Sequence, residues 1–261
     1  MSETTNKPTA HRYFVELSYD GTAFHGWQVQ PNARSVQGEL IDAFSTFFRE
    51  EVYVVGAGRT DTGVHASHMV AHFELHNPIE SPEDAVYKLN RFLSEEIALQ
   101  EIYEVKVEAH ARFSATERAY EYVLSRVKNP FATKYAWQFQ RELNFAQMNQ
   151  AASLLLEHND FACFCKADSD VNTTLCDVRT AHWERDGDTW IFHIAADRFL
   201  RNMVRAIVGT LVEVGEGKHT IEEFKSILES GSRSKAGTSA PAGGLFLSKV
   251  SYPSDIRTTH T

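Results

Sequence analysis

After a polar stretch of ten residues, apolar side chains alternate at Tyr13, Val15, Leu17 and Tyr19, the period of a half-buried strand. Asp20-Gly21-Thr22 ends it as a turn. Ser35 can cap a helix whose apolar positions are Val36, Leu40, Ile41, Phe44, Phe47 and Phe48. Val52 to Val55 reads as a short strand, broken by Gly56-Ala57-Gly58. Met69, Ala71, Phe73 and Leu75 alternate as the next strand. Ser81-Pro82-Glu83-Asp84 carries the cap, proline and acids of a helix start. Ala85, Val86, Leu89, Phe92 and Leu93 follow at helical spacing, and Ile102 to Val107 reads as a strand. The order is β-α-β-β-α-β.

The same order returns. Tyr120, Tyr122 and Leu124 share a strand face, and Phe145, Met148, Ala152 and Leu155 form a helical stripe. Val178 to Trp183 and Trp190 to Ile194 pair across Asp186-Gly187-Asp188. A helix over Leu200, Met203, Val204, Ile207, Val208 and Leu211, a shorter one over 221–228, and a strand over 245–250 complete it. β-α-β-β-α-β is the ferredoxin-like arrangement. The expected fold is therefore α+β, with an N-terminal half at 11–110 and a C-terminal half at 111–253. Residues 1–10 and 254–261 are expected to be tails.

Composition narrows the class. At 261 residues with 43% hydrophobic and 23% charged residues, the chain is globular rather than disordered or collagen-like. No apolar run reaches the roughly 20 residues of a membrane helix, and 1–10 lacks the apolar core of a secretory signal. Cys163, Cys165 and Cys176 are too few and odd in number for a disulfide framework, and point to a reducing compartment. Cys163 and Cys165 flank Phe164 as buried thiols would. Lys and Arg number 26 against 35 Asp and Glu, a net charge of −9 that argues at first against nucleic acid.

The densest polar segment is Gly56-Ala57-Gly58-Arg59-Thr60-Asp61-Thr62-Gly63-Val64-His65-Ala66, a loop between two strands. Asp61 is its only carboxylate, and Arg59 stands near enough in sequence to hold it ionised. Three readings compete. As a phosphate loop it lacks the third glycine of the dinucleotide fingerprint and the lysine of a P-loop. As an aspartic protease, its single Asp61-Thr62-Gly63 would need a symmetric dimer to supply a second aspartate. As a lone Asp nucleophile it would act on a carbon electrophile. The bland alternative is a turn aspartate capping its own backbone.

Several segments together resemble one family. Gly58-Arg59-Thr60-Asp61-Thr62-Gly63-Val64-His65-Ala66 resembles the active-site motif of the tRNA pseudouridine synthase A (TruA) family. Tyr19-Asp20-Gly21-Thr22-Ala23-Phe24-His25-Gly26-Trp27-Gln28, continued by Ser35-Val36-Gln37-Gly38, resembles its opening motif. Ala111-Arg112-Phe113-Ser114-Ala115 with Tyr120-Glu121-Tyr122 resembles the second. Phe199-Leu200-Arg201-Asn202-Met203-Val204-Arg205 through Gly209-Thr210-Leu211 resembles the third. The likeness spans about 12 to 253.

The resemblance implies that Asp61 is the nucleophile and that Tyr120 stacks on the target uracil. It implies that Arg205 pairs with Asp61 and that Arg59 engages RNA beside the extruded base. The expected architecture is one mixed, mainly antiparallel sheet made by both halves, with helices on one side and the active-site cleft between the halves. The implied reaction is isomerisation of uridine to pseudouridine at positions 38–40 of the tRNA anticodon stem-loop, in the cytoplasm. It implies a homodimer with tRNA as partner, and neither membrane nor DNA. Pseudouridine formation moves one glycosidic bond and needs neither redox nor group transfer, so no cofactor is expected. The spacing of His25, His65 and His68 resembles no metal site, and no metal is expected.

Arg201 and Arg205 are expected at i, i+4 on one helix, with Arg201 divided between a solvated face and a phosphate contact. An RNA-binding module without catalysis would leave Asp61 unexplained, and its RNP1 pattern is absent from the chain. Arg59, Arg112, Arg118, Arg198, Arg201 and Arg205 all lie in motif segments. The expectation is a basic cleft around Asp61 on an otherwise acidic protein.

Overall fold

A computed structural model of the protein describes residues 11–166 and 172–258; the expected N-terminal tail lies outside them. The N-terminal half comprises β1 (His11–Tyr19), α1 (Val36–Phe48), β2 (Val55–Gly56), β3 (His65–Leu75), α2 (Pro82–Leu89) and β4 (Ile97–Glu104). The C-terminal half comprises β5 (Glu117–Ser125), β6 (Trp137–Gln138), α3 (Phe145–Ser153), β7 (Val178–Asp186), β8 (Thr189–Ala196), α4 (Met203–Gly215), α5 (Ile221–Glu229) and β9 (Leu245–Ser251). All fourteen elements belong to one sheet and its helices.

The strand order is β4-β1-β3-β9-β5-β8-β7, with β2 on β3 and β6 on β5. Counting its four long strands in chain order, the second half runs 4-1-3-2. The first half runs 4-1-3, with β2 as a remnant of its fourth position. The α+β duplication inferred from element order is thus repeated in the topology. The sheet is antiparallel except where β6 joins β5 and where the halves meet, at His65↔Phe246 and Ala66↔Leu247 of β3 and β9. One edge of β3 serves two partners, because β2 takes only His72 and Ala71.

Each half closes a core against its own helices. Phe44 of α1 packs edge-on against Phe73, which stacks on Tyr13. Phe145 of α3 lies flat on Trp190 and edge-on to Trp183. The cores interlock at the seam. Val64 from the first half enters the second core, Leu247 and Val250 of β9 enter the first, and Tyr120 packs against both.

Four local expectations are corrected. Val52 and Val54 are buried, but only residues 55–56 join a ladder, so the strand read there is a core-facing extended segment. β4 begins at Ile97 rather than at 102, and carries a bulge between the pairs Glu16↔Glu101 and Leu17↔Leu99. That extra residue flips the inward phase from Ile97 and Leu99 to Ile102, so the periodicity of the strand breaks midway. The last long helix starts at Met203, not Leu200, because Asn202 holds a left-handed φ of 64°. Residues 254–258, expected as part of a tail, run back along β4. Arg257 makes a two-pronged ion pair with Glu101 and covers the Tyr103 ring.

Candidate active site

The loop after β2 is fixed from behind by the turn after β1. Thr60 Oγ1 and the Tyr19 hydroxyl share a buried hydrogen bond of 2.8 Å. Trp27 N–H donates to the Thr60 carbonyl and Gly63 N–H to that of Phe24. The approach is too close for side chains. Gly26 has φ +92°, and a Cβ there would sit 2.5 Å from the Thr60 carbonyl oxygen; at Gly21 a Cβ would lie 1.9 Å from that of Val64. His65 is buried, with Nδ1 accepting from Gly21 N–H and Nε2 facing the Lys134 carbonyl at 3.1 Å. It is therefore a strut between two loops.

The opposite wall comes from the second half. Arg205, in the first turn of α4, places Nη1 3.9 Å from Asp61 Oδ2. Its Nε donates to the Ala240 carbonyl at 2.8 Å, and Ala240 N–H donates back to the Arg205 carbonyl. Arg201 places Nε 4.0 Å from Asp61 Oδ1. It lies in the turn before α4, so the expected i, i+4 pair on one helix is corrected: the two guanidiniums reach different oxygens. The Arg205 side chain is 22% exposed and the Arg201 side chain 60%. Neither contact is a hydrogen bond, which leaves the carboxylate lone pairs open to an incoming group.

Asp61 and Thr62 line a cleft of about 600 Å³ with Lys166, Arg201, Asn202, Arg205, Arg233 and Ser239. Among the described residues lining it, four are cationic and Asp61 is the only carboxylate. The cleft is basic on a chain of net charge −9, as expected, but of the six motif arginines Arg201 and Arg205 alone line it, and Lys166 and Arg233 supply the other two charges. Among the described residues no second aspartate lines the cleft, and the α+β sheet is not that of an all-β protease. Lys166, Asn202, Arg233 and Ser239 were not singled out in the sequence. Arg233 donates to the carbonyls of Ala236 and Gly237 and to Ser239 Oγ, which also accepts from Asn202 Nδ2 at 2.6 Å. Asn202 sits in a conformation rare for a side-chain-bearing residue, stabilised by that contact.

Tyr120 stands on β5 at the seam, edge-on to Phe199 with ring centroids 5.2 Å apart. Burial, and secondarily the Asp61 charge, push its phenol up to about 12, so it stays protonated at neutral pH.

Other expected residues fall elsewhere. Arg59 is exposed and outside the cleft lining; the cations within 4.0 Å of Asp61 are Arg201 and Arg205, so Arg59 is not the partner that its place in the sequence suggested. Arg118 does not face the cleft. It ties the carbonyls of Ala57, Arg112, Ala115 and Asp197 together across the seam. Arg112 and Arg198 also lie outside the lining. The three cysteines are buried free thiols, and burial pushes Cys163 and Cys176 up to about 12.

A family model described as tRNA pseudouridine synthase matches residues 17–114 and 151–253, which include Asp61, Arg201 and Arg205. The tRNA pseudouridine synthase A of Bacteroides thetaiotaomicron is 51% identical over 253 residues, covering 96% of this chain and 94% of the relative. That of Bacteroides fragilis is 49% identical over 249 residues, covering 95% and 99%. That of Chlorobium luteolum is 40% identical over 242 residues, covering 92% and 95%. With the family pattern running through both halves and both walls of the cleft, the chain belongs to the tRNA pseudouridine synthase A family.

Proposed function

We propose that the chain isomerises uridine to pseudouridine in tRNA, with Asp61 as the nucleophile. The observation that carries this reading is the Asp61 carboxylate facing two guanidiniums in a cationic cleft where, among the described residues, it is the only carboxylate. The reaction breaks C1′–N1, turns the uracil and joins C1′ to C5. The proton on C5 is released and N1 gains one, so atoms balance within the nucleotide and no cofactor enters. Asp61 supplies the carboxylate that reacts with the nucleotide, and Arg205, anchored on Ala240, positions it. Tyr120 stacks on the uracil; extrusion of the base costs a few kcal/mol, and stacking returns roughly 1–3 kcal/mol. Arg59, exposed at the loop rim, holds RNA beside the extruded base.

The substrate positions are uridines 38–40 of the anticodon stem-loop, and the working form is a cytoplasmic homodimer. Among the described residues no helix is long and apolar enough to cross a membrane. The test is incubation of unmodified tRNA with the pure protein and no added cofactor, followed by mapping of pseudouridine. Modification confined to 38–40 supports the reading; modification elsewhere overturns the positions, and none at all overturns the function.

A further inference from the structure

The face of the C-terminal sheet half away from α3 carries a second polar cluster that the chemistry at Asp61 does not use. His182 of β7 and His193 of β8 are a directly opposed cross-strand pair, their rings 5.1 Å apart and inclined by 24°. Glu184 shares a face with His182, and its Oε2 lies 3.6 Å from His193 Nε2. Glu121 of β5 lies opposite His193 on the other side, with Oε1 3.6 Å from Nδ1.

Two features single this group out. One nitrogen, one carboxylate oxygen and one further nitrogen, from His182, Glu184 and His193, all lie within 4.8 Å of one another. Among the described residues none of these three side chains, nor that of Glu121, makes a hydrogen bond, and both carboxylate contacts to His193 exceed hydrogen-bond length. The donor atoms thus make no hydrogen bond, only the two long ion-pair contacts of His193, and they stand on three paired strands whose backbone spacing is fixed. An ion bound at about 2.0–2.2 Å from each would draw them together by side-chain rotation alone. The disposition of His193 supplies the outer shell: with Nε2 turned to the ion, Nδ1–H faces Glu121, the carboxylate–histidine–metal relay of zinc sites.

We propose that His182, His193 and Glu184 form a binding site for a divalent transition ion of the zinc class, with Glu121 orienting His193. Two imidazoles and one carboxylate select such an ion over Mg²⁺ or Ca²⁺, which take oxygen ligands. Three protein ligands leave one position open to water. The ion would clamp β7, the strand at the free edge of the sheet, to β8. The site is independent of the reaction proposed at Asp61.

The experiment titrates the untagged full chain, first stripped with chelator, with Zn²⁺ alone in a calorimeter and with Mg²⁺ in parallel. The expected result is one Zn²⁺ per chain and no Mg²⁺ at this site. Binding is lost in His182→Ala/His193→Ala, and weakened 10–100-fold in Glu121→Gln, the range for an outer-shell partner. Trp183 and Phe192, which hold the hairpin to the core, are untouched, so the double variant folds; unchanged circular dichroism checks this. Zn²⁺ stoichiometry and affinity unchanged in the double variant, or no Zn²⁺ bound by the wild type, would overturn the site.

Discussion

Arg205 reaches Asp61 while tied at its other end: Nη1 lies 3.9 Å from Asp61 Oδ2, and Nε donates to the Ala240 carbonyl at 2.8 Å. The guanidinium therefore transmits the position of the 236–241 loop, in the second half, to a carboxylate on the first. Gly209 makes this possible, because a Cβ there would meet the Thr238 carbonyl oxygen at 1.8 Å. The two halves build one site through this arginine.

Replacing Arg205 by Ala should lower turnover at least about 100-fold, the cost of a displaced reacting group, while tRNA binding largely survives. Arg205→Lys should not restore it, since a single ammonium cannot serve Ala240 and face Asp61 together. Single-turnover rates with saturating enzyme, beside filter-binding affinities, separate the two effects. Equal losses in rate and affinity would make Arg205 an RNA contact instead.

The buried Tyr19–Thr60 hydrogen bond holds the loop that carries Asp61. Thr60→Val leaves the Tyr19 hydroxyl without its partner and should cost about 1–3 kcal/mol. For a chain of this size each kcal/mol lowers Tm by roughly 2–4 °C. The double variant Tyr19→Phe/Thr60→Val should be less destabilised than the sum of the single ones. Thermal melts of the four proteins measure the coupling, and strict additivity would contradict it.

Tyr120→Phe should keep most of the activity that stacking supports, whereas Tyr120→Ala should lose a factor of roughly 5–150, corresponding to about 1–3 kcal/mol of stacking. The phenol, raised to about 12 from an ordinary value near 10, is neutral in the folded state at neutral pH. Its folded value exceeds the unfolded one, so its contribution to stability is complete below pH 10 and is lost as pH rises through 12. Alkaline unfolding should therefore be later in Tyr120→Phe than in the wild type.

His72 titrates on the acid side. Burial, and then the charges of His110 and Arg12, lower it from 6.5 to about 4, and its Nδ1 accepts a hydrogen bond from Ala111 N–H. Below pH 6.5 the unfolded chain takes up this proton first. Stability present above 6.5 is thus lost as pH falls through 4, by roughly 3 kcal/mol in total. Urea unfolding at pH 7 and at pH 4.5 should show most of this difference. An NMR titration that placed His72 near 6.5 would contradict it.

Much of this architecture was legible in the chain, because α1, α2 and α5 carry side-chain caps at Ser35, Ser81 and Thr220, and because buried residues alternate at Tyr13, Val15, Leu17 and Tyr19 of β1 and at Phe192, Ile194 and Ala196 of β8. What misled was local irregularity. The bulge in β4 splits its periodicity, and the left-handed Asn202 removes Leu200 and Arg201 from the helix that their spacing suggested. The site divides in the same way. Asp61, Tyr120 and Arg205 stood in long motifs. Arg59, two residues from Asp61, turns outward, whereas Arg201, 140 positions away in sequence, turns in. Lys166 and Arg233 lie in short stretches without pattern, and only the fold carries them to the cleft.

The central claim is that Asp61 is the group that reacts. A single-turnover assay of Asp61→Asn on unmodified tRNA tests it most directly, because the amide keeps the shape of the carboxylate and removes its charge and nucleophilicity. The account predicts no detectable pseudouridine, with tRNA binding and Tm close to wild type. Pseudouridine formed by Asp61→Asn at the wild-type rate would contradict it.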